Sequence, residues 1–332
     1  MSSLPLTLLF SDGVAHTVNA EPGQTVAQAA VNAGLTLLTD CSNGQCGTCV
    51  AQCVSGDIDP GDYDPSVLPD DERDDGAILC CVSKARSAAV IELPYDSCEA
   101  SAPQEETQTG TVTAVTPIAS EIIRLDVKVA NGIEFLPGQY VRLRPNESSE
   151  WRSYSMANAS GDTNLVFYIR LVTDGQFSSW LTTAKAGDLL EIGPSRGTFF
   201  LRNESRPRLF VAGGTGLAPF LAMLQAVRTT PEFNTAPIHL LIGGRTAGHL
   251  FAQEELARLQ RDLPNLQISV ATESDPPPGA QQGYATDLIA GLSLDKSTRV
   301  YLCGPPPMVD AARAAAMKAG IRKSEILCER FA

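Results

Sequence analysis

Ten consecutive residues, Asp40-Cys41-Ser42-Asn43-Gly44-Gln45-Cys46-Gly47-Thr48-Cys49, carry three thiols at the spacing C-x4-C-x2-C. A fourth comes from the adjacent pair Cys80 and Cys81, which ends an apolar run starting at Ala77. Four thiolates in that order are the pattern that ligates a 2Fe–2S cluster, two sulfurs to each iron. The short loop supplies three of them from one wrap of backbone. Gly44 and Gly47 let that wrap adopt positive φ and bring amide N–H groups toward the sulfurs, where they offset negative charge. A structural zinc site is the alternative, but zinc usually takes C-x2-C pairs from two separate knuckles. The run C-x2-C-x2-C-x3-C-P fails too: Cys49-x3-Cys53 fits its tail, yet the first spacing is wrong and Val54 replaces the proline. Cys53 therefore reads as a small buried apolar residue.

Other motifs suit flat or phosphorylated ligands. Arg152-Ser153-Tyr154-Ser155 sets a cation, an aromatic ring and a hydroxyl on one strand end. A flavin site needs a ring to pack against, a cation for its pyrophosphate and a hydroxyl near the redox nitrogen. Alone, R-x-Y-S also fits a surface strand. Two neighbours support it: Gly175-Gln176-Phe177-Ser178 opens a helix whose free N–H groups suit a pyrophosphate, and Phe135–Tyr140 precedes a strand upstream. Gly213-Gly214-Thr215-Gly216-Leu217-Ala218-Pro219 follows an apolar strand and opens a helix. From Gly214 it reads G-x-G-x-x-P, a departure from the dinucleotide fingerprint in which proline occupies the first helical turn. A glycine-rich turn without a ligand is the competing reading. Cys303-Gly304-Pro305-Pro306-Pro307-Met308 sits at another strand-to-helix junction, where a lone cysteine is more often a packing residue.

The elements that must position these residues follow from pattern and punctuation. The 332 residues allow two or three domains, and a hydrophobic share of 43% is enough to give each a core. Leu6–Phe10 and Ala15–Val18 flank Asp12-Gly13, a hairpin signal. Thr25 caps a helix through Ala33, with Gly34 ending it. Val90–Leu93 closes a small β-grasp module, and the polar stretch Glu99–Gln108 reads as a linker. Six short strands follow: Gly110–Val115, Ile122–Val129, Tyr140–Arg144, Arg152–Met156, Leu165–Arg170 and Leu189–Ile192. With one helix among them they predict an antiparallel β-barrel. After about Arg206 apolar strands alternate with helices, which predicts a parallel α/β sheet. The fold class is thus multidomain, α+β followed by α/β.

Charge excludes some partners. A net charge of −13 argues against a general nucleic-acid role. Residues 1–98 hold 14 Asp/Glu against 3 Lys/Arg, a balance of −11, whereas residues 99–332 hold 24 against 22. The acidity belongs to the cysteine-bearing part, either as a solvated face or as a docking surface for a basic partner. Asp57–Asp75 in particular reads as a turn-rich, solvated loop. The first ten residues read as a strand without a basic start, so no signal peptide is expected. Nine cysteines at irregular spacing favour a reducing cytoplasm and metal work over a disulfide framework. The uncharged stretch Leu209–Val227 is broken by glycines and Pro219, so it reads as strand, turn and helix rather than a membrane span.

The order of cluster loop, R-x-Y-S, G-x-x-S, Gly213–Pro219, Cys303–Met308 and a terminal Glu329-Arg330-Phe331 resembles the ferredoxin–NADP reductase superfamily over essentially the whole chain. In particular it resembles the reductase, or electron transfer, components of benzoate, toluate and anthranilate 1,2-dioxygenases, which begin with a plant-type ferredoxin domain. The resemblance implies a 2Fe–2S ferredoxin domain over 1–98, a linker over 99–108, an FAD-binding barrel over 109–205 and an NAD-binding domain over 206–332. Among the thiols it selects Cys41, Cys46, Cys49 and Cys81, because the family's last ligand follows an apolar-apolar-any triplet, here Ile78-Leu79-Cys80. It implies that Arg152, Tyr154 and Ser155 hold the flavin and that Gly175 and Ser178 hold its pyrophosphate. It implies Gly213, Gly214, Thr215, Gly216 and Pro219, with Gly304 and Pro305, at the nicotinamide nucleotide. Ser155, Cys303 and Glu329 would lie at the reacting rings, and Phe331 would match the aromatic that shields the flavin. Two departures stand out: Ala332 follows that aromatic, and Gly193-Pro194-Ser195-Arg196-Gly197 is one residue longer than the expected GPxG turn.

The function implied is passage of electrons from NADH through FAD and the cluster to a terminal oxygenase with a basic docking patch. The same unit could instead serve a di-iron monooxygenase or a deoxysugar dehydratase. A zinc-stabilised binding protein is the reading from a different class. NADH is expected over NADPH: the second α/β strand ends Gly243-Gly244-Arg245 without a ribose-binding carboxylate. Arg245 alone could suit a 2′-phosphate, but Glu273, where related NADP enzymes carry an arginine, would repel it.

Overall fold

The computed structural model describes residues 3–65, 67–100, 107–230 and 236–331. The chain divides into two compact units, Met1–Gln104 with Arg196–Thr198, and Glu105–Ser195 with Phe199–Ala332.

The first unit opens with the expected hairpin, β1 (Leu4–Leu9) against β2 (Ala15–Ala20), with Gly13 at φ 82° in the turn. Helix α1 (Val26–Asn32) starts at a reciprocal cap: Thr25 Oγ1 accepts from Gln28 N–H at 3.2 Å, and Gln28 Oε1 accepts from Thr25 N–H at 3.0 Å. The remaining elements are β3 (Val50–Ser55), β4 (Ile58–Asp59), α2 (Asp70–Asp74), β5 (Ala77–Leu79), β6 (Lys84–Ala85), β7 (Ala89–Glu92) and α3 (Ser97–Ala100). The main sheet runs β2-β1-β7-β3-β5, with β1 and β7 parallel, and β4 pairs with β6 as a separate ribbon. Leu6, Leu8 and Ile91 are inaccessible to solvent, as alternate positions on strands that bury one face should be. Two expectations change here. Asp57–Asp75 is not all loop, because it holds β4 and α2. The stretch read as a linker begins inside α3, where Ala100 is buried, and its last residue, Gln108, opens a strand; residues 101–106 lie outside the described ones.

The second unit contains two sheets. Strands β8 (Gln108–Ala119), β9 (Ile122–Val129), β10 (Tyr140–Arg144), β11 (Arg152–Ser155), β12 (Asn164–Arg170) and β13 (Leu189–Ile192) form a six-stranded antiparallel sheet in the order β11-β10-β13-β8-β9-β12. Helix α4 (Gln176–Leu181) lies between β12 and β13 in sequence. A ladder closing β11 onto β12 is not among the pairings of the described residues.

The other sheet is parallel throughout, in the order β17-β16-β15-β14-β18-β19. Its elements are β14 (Arg208–Gly213), α5 (Ala218–Thr229), β15 (Ile238–Gly244), α6 (Gln253–Asp262), β16 (Leu266–Thr272), β17 (Gln281–Gln282), β18 (Arg299–Gly304), α7 (Pro306–Lys318) and β19 (Ile326–Arg330). Every residue of β14 is buried, as in a strand covered on both faces. From β14 the chain moves outward to β15 and β16, then returns to build β18 on the opposite side of β14. This reversal is a topological switch point, and in such sheets ligands bind beyond the strands' C-terminal ends at the switch. The two sheets share one core, in which Ile122, Tyr168, Phe199 and Leu201 pack with Phe210, Phe220 and Tyr301. Phe210 stacks on Phe220 with ring centroids 5.0 Å apart.

Candidate functional site

In the first unit the cysteine loop joins the α1 region to β3. Ser42, Gly44 and Gly47 all have positive φ, so the wrap is as tight as the glycines suggested. Gly44 is required twice over: a β-carbon there would also lie 2.8 Å from Tyr63 Cβ. The loop aims donors at sulfur, Gln45 N–H to Cys41 Sγ at 3.3 Å, while Cys81 N–H donates to Cys49 Sγ at 3.4 Å. The Cys49 and Cys81 side chains share a hydrogen bond that lowers the Cys81 pKa to about 6 and raises that of Cys49. Burial raises Cys46 to about 11. Cys81 also bonds the Cys41 side chain and the Gly44 amide, so all-sulfur donors gather under backbone N–H groups. That donor set fits an anionic iron–sulfur cluster. Among the described residues no three His, Cys, Asp or Glu side chains are gathered to hold one metal ion. A binuclear cluster does not require that, since each iron takes only two protein thiolates.

Cys80 is the most deeply buried of the neighbouring thiols, and burial raises its pKa to about 12. Its backbone N–H donates to Cys49 O at 3.0 Å and its carbonyl accepts from Ala27 N–H. The side-chain hydrogen bonds to Cys49 and Cys41 set Cys81 among the loop thiols. Cys53 is only half-buried and its thiol donates to Ser55 O at 3.4 Å, so the expectation of a buried apolar residue needs correcting: the strand end leaves it partly open.

In the second unit three side chains far apart in sequence meet. Ser155, at the end of β11, donates to Glu329 Oε2 on β19 at 3.3 Å, and Cys303 Sγ on β18 donates to the same oxygen at 3.6 Å. Parallel pairing sets Cys303 opposite Glu329. The Glu329 residue is half-buried as a whole, but its carboxyl group is crowded, and desolvation raises its pKa to about 7 against the two hydrogen bonds. Burial raises the Cys303 thiol well above its ordinary value. The cluster is thus a neutral-leaning, proton-holding site, suited to orienting a polar ring edge without presenting a full charge to it.

The glycine-rich turns frame that site. Gly213 ends β14, and a 3-10 turn, Gly214–Leu217, precedes α5, so Pro219 falls in the first turn of the helix proper. A β-carbon on Gly216 would collide with Cys303 O, and Gly304 lies against Gly213, 3.2 Å from any β-carbon it carried to Gly213 Cα. The two turns meet backbone to backbone at the switch point. Phe331 N–H donates to Gly304 O at 3.2 Å, and the ring packs against the shared core; Ala332 lies outside the described residues.

The other residues of the R-x-Y-S and G-x-x-S motifs make contacts of their own. Tyr154 packs on Phe177 with centroids 4.9 Å apart. Arg152 is exposed and paired with Glu150 at 2.5 Å. Gly175 caps α4, which has only six residues, and Ser178 Oγ accepts from Val172 N–H at 2.9 Å, leaving its proton to offer. Arg245 is held by Glu121 rather than standing open, a pairing no motif announced. Near it, Glu273, just past the end of β16, donates its N–H to Gly244 O at the end of β15, at 3.1 Å. Gly138, with φ 114°, sits where a β-carbon would strike Met223 and Phe199, and its place before β10 in the Phe135–Tyr140 motif was the only sign of that.

Comparison with known proteins matches three successive stretches of the chain. The family model for a 2Fe–2S iron–sulfur cluster binding domain matches residues 9–86, that for an oxidoreductase FAD-binding domain matches 110–201, and that for an oxidoreductase NAD-binding domain matches 210–314. The toluate 1,2-dioxygenase electron transfer component of Pseudomonas putida is 36% identical over 97% of each chain. The anthranilate 1,2-dioxygenase electron transfer component of Acinetobacter baylyi is 32% identical over 98% of this chain and 96% of that one. The reductase component of propane 2-monooxygenase from Rhodococcus jostii is 32% identical over 95% and 91%. Among solved structures, the Amycolatopsis cytochrome P450 reductase GcoB superposes with a TM-score of 0.73 at 28% identity, over 98% of both chains. The ferredoxin reductase in carbazole 1,9a-dioxygenase shares the fold, with a TM-score of 0.66 at 24% identity and full coverage of both chains. These matches set aside the zinc-stabilised binding protein. The chain belongs to the ferredoxin reductase superfamily, among the electron transfer components of toluate-, halobenzoate- and anthranilate-type 1,2-dioxygenases, as an oxidoreductase built for NAD(H), FAD and a 2Fe–2S cluster.

Proposed function

We propose that this chain takes electrons in pairs from NADH and delivers them singly to the terminal oxygenase of an aromatic 1,2-dioxygenase. Bound FAD would accept hydride and release single electrons, and the cluster would carry those onward. The observation that carries the reading is the convergence of Ser155, Cys303 and Glu329 at the switch point. Ser155 and Glu329 would orient the ring edges, and Cys303 would fill the buried floor between them. Gly213–Pro219 with Gly304 and Pro305 would receive the nicotinamide nucleotide; Tyr154, Arg152, Gly175 and Ser178 would hold the flavin; and Phe331 would cover it. Cys41, Cys46, Cys49 and Cys81 would ligate the irons. The pairing of Arg245 with Glu121, and the carboxylate of Glu273 nearby, favour NADH over NADPH.

Two points of architecture go with this. We read the first unit as a β-grasp module and the antiparallel sheet as a barrel. Ala157 N–H donates to Val166 O at 2.9 Å, and Asn158 Oδ1 accepts from Val166 N–H, so the end of β11 is tied to β12. The partner would meet the acidic first unit with a basic surface. None of the nine cysteines is paired in a disulfide, which suits a reducing cytoplasm. Among the described residues no helix is long and apolar enough to cross a membrane. A monooxygenase partner is the second reading, favoured by the similarity to propane and phenol 2-monooxygenase reductase components. Anaerobic NADH titration of the purified protein tests the core claim. The visible flavin and iron–sulfur absorption should bleach, and NADPH should be much less effective. A colourless protein containing zinc would overturn it. Reconstitution with a benzoate-type oxygenase and with a di-iron hydroxylase separates the two partners.

A further inference from the structure

The turn Gly193–Gly197, one residue longer than the GPxG that the resemblance leads one to expect, finds a partner. Residues Arg196–Thr198 belong to the first unit, although they follow its other residues by some ninety positions. Arg196 Nη1 donates to Thr39 O at 3.1 Å, and its Nε lies 3.8 Å from Asp40 Oδ1. Both side chains are largely buried, at 17% and 7% exposure. Thr198 Oγ1 donates to Thr48 O at 3.0 Å. Thr39 stands two residues before Cys41, and Thr48 immediately before Cys49. One tripeptide therefore grips both ends of the loop that supplies three thiolates.

Charge makes the grip more than mechanical. Asp40 is a buried carboxylate adjacent to Cys41, beside a site that would already carry four thiolates. A buried anion there disfavours adding an electron, and a nearby cation offsets it. We propose that Arg196 is a positioning and charge-compensating residue for the cluster loop, holding Thr39 in place and neutralising Asp40, while Thr198 fixes the Thr48 end. The proposal rests on the reading that the four cysteines hold the cluster.

The test is an EPR-monitored redox titration of the full-length holoprotein. A reduced-cluster signal in the wild type confirms the reading on which the proposal depends; its absence removes that reading first. Arg196→Gln should make the cluster harder to reduce by roughly tenfold in the electron equilibrium, ~59 mV for one electron. Asp40→Asn should move it in the opposite direction. The double variant should return close to wild type, because the two groups act as a pair. Arg196→Lys, which keeps the charge, should retain most of the wild-type value. An unchanged potential in an iron-replete Arg196→Gln protein, or shifts of the same sign in Arg196→Gln and Asp40→Asn, would overturn the proposal. If Arg196→Gln fails to load iron, Asp40→Asn still decides: an unchanged or lowered potential there overturns it.

Discussion

The cysteine loop and the Ser155–Cys303–Glu329 group have opposite architectures. The first draws three of its four thiols from nine consecutive residues, and its glycines set the local wrap. The second draws one side chain from each of β11, β18 and β19, with Ser155 and Glu329 174 residues apart. One site is a property of a peptide; the other exists only once two sheets have packed on a common core. The first should fail through its ligands, whereas the second should fail through whatever disturbs the approach of its strands and turns.

The sharpest break in that comparison is removal of a thiolate. Cys81→Ser, or Ser at Cys41, Cys46 or Cys49, should abolish the cluster's EPR signal and lower bound iron to near zero. Cys80→Ala should keep both, since that thiol lies outside the group. A Cys80→Ala protein without iron would move the fourth ligand.

The second site should fail through backbone rather than ligand loss. Gly216→Ala forces the Gly213–Leu217 turn away from Cys303 O. It should slow reduction by NADH at least about tenfold, equal to about 1.4 kcal/mol in the barrier, in stopped flow. Gly214→Ala meets open space at φ 54°, so it should cost only about 1 kcal/mol of stability and leave the rate closer to wild type.

A third expectation concerns Glu329. Its pKa is about 7 in the folded protein against an ordinary 4.5, so the folded state holds an extra proton between those values. The stabilising contribution is complete below about pH 4.5 and is lost as pH rises through about 7. Glu329→Gln should flatten that part of the Tm–pH profile; an unaltered slope would return the carboxyl to solvent.

Smaller effects probe the first unit's surface and framework. Electron delivery to the oxygenase should slow as salt rises, with the change in association rate and not in NADH reduction. Salt-independent delivery would leave the −11 balance a mere solvated face. Thr25→Ala should cost about 1 kcal/mol in denaturant unfolding through loss of the reciprocal cap, without touching the cluster spectrum.

Much of the framework was legible because it is written in local terms. The hairpin at Asp12-Gly13, the Thr25 cap and the alternation after Arg206 each depend on near neighbours. Strand β19 was not legible, since Ile326–Arg330 is short and half-buried throughout and only its pairing with β18 gives it a role. The helical turn of α2 hid among charges that favour solvent. The choice between Cys80 and Cys81 needed either a resemblance or coordinates, because adjacent residues on one chain point to opposite sides.

The amino-acid order by itself determined the loop thiols and their glycines, the glycine turns at two strand ends, and the placement of acidity in the first hundred residues. Such features need only chain geometry over a few residues. Tertiary structure alone decided that Cys303 faces Glu329, that Gly216 must lack a side chain, that Arg245 is taken by Glu121, and that Arg196 turns back to the cysteine loop. Each of these depends on which distant strands become neighbours, and that is settled by burial of a shared core rather than by any local pattern.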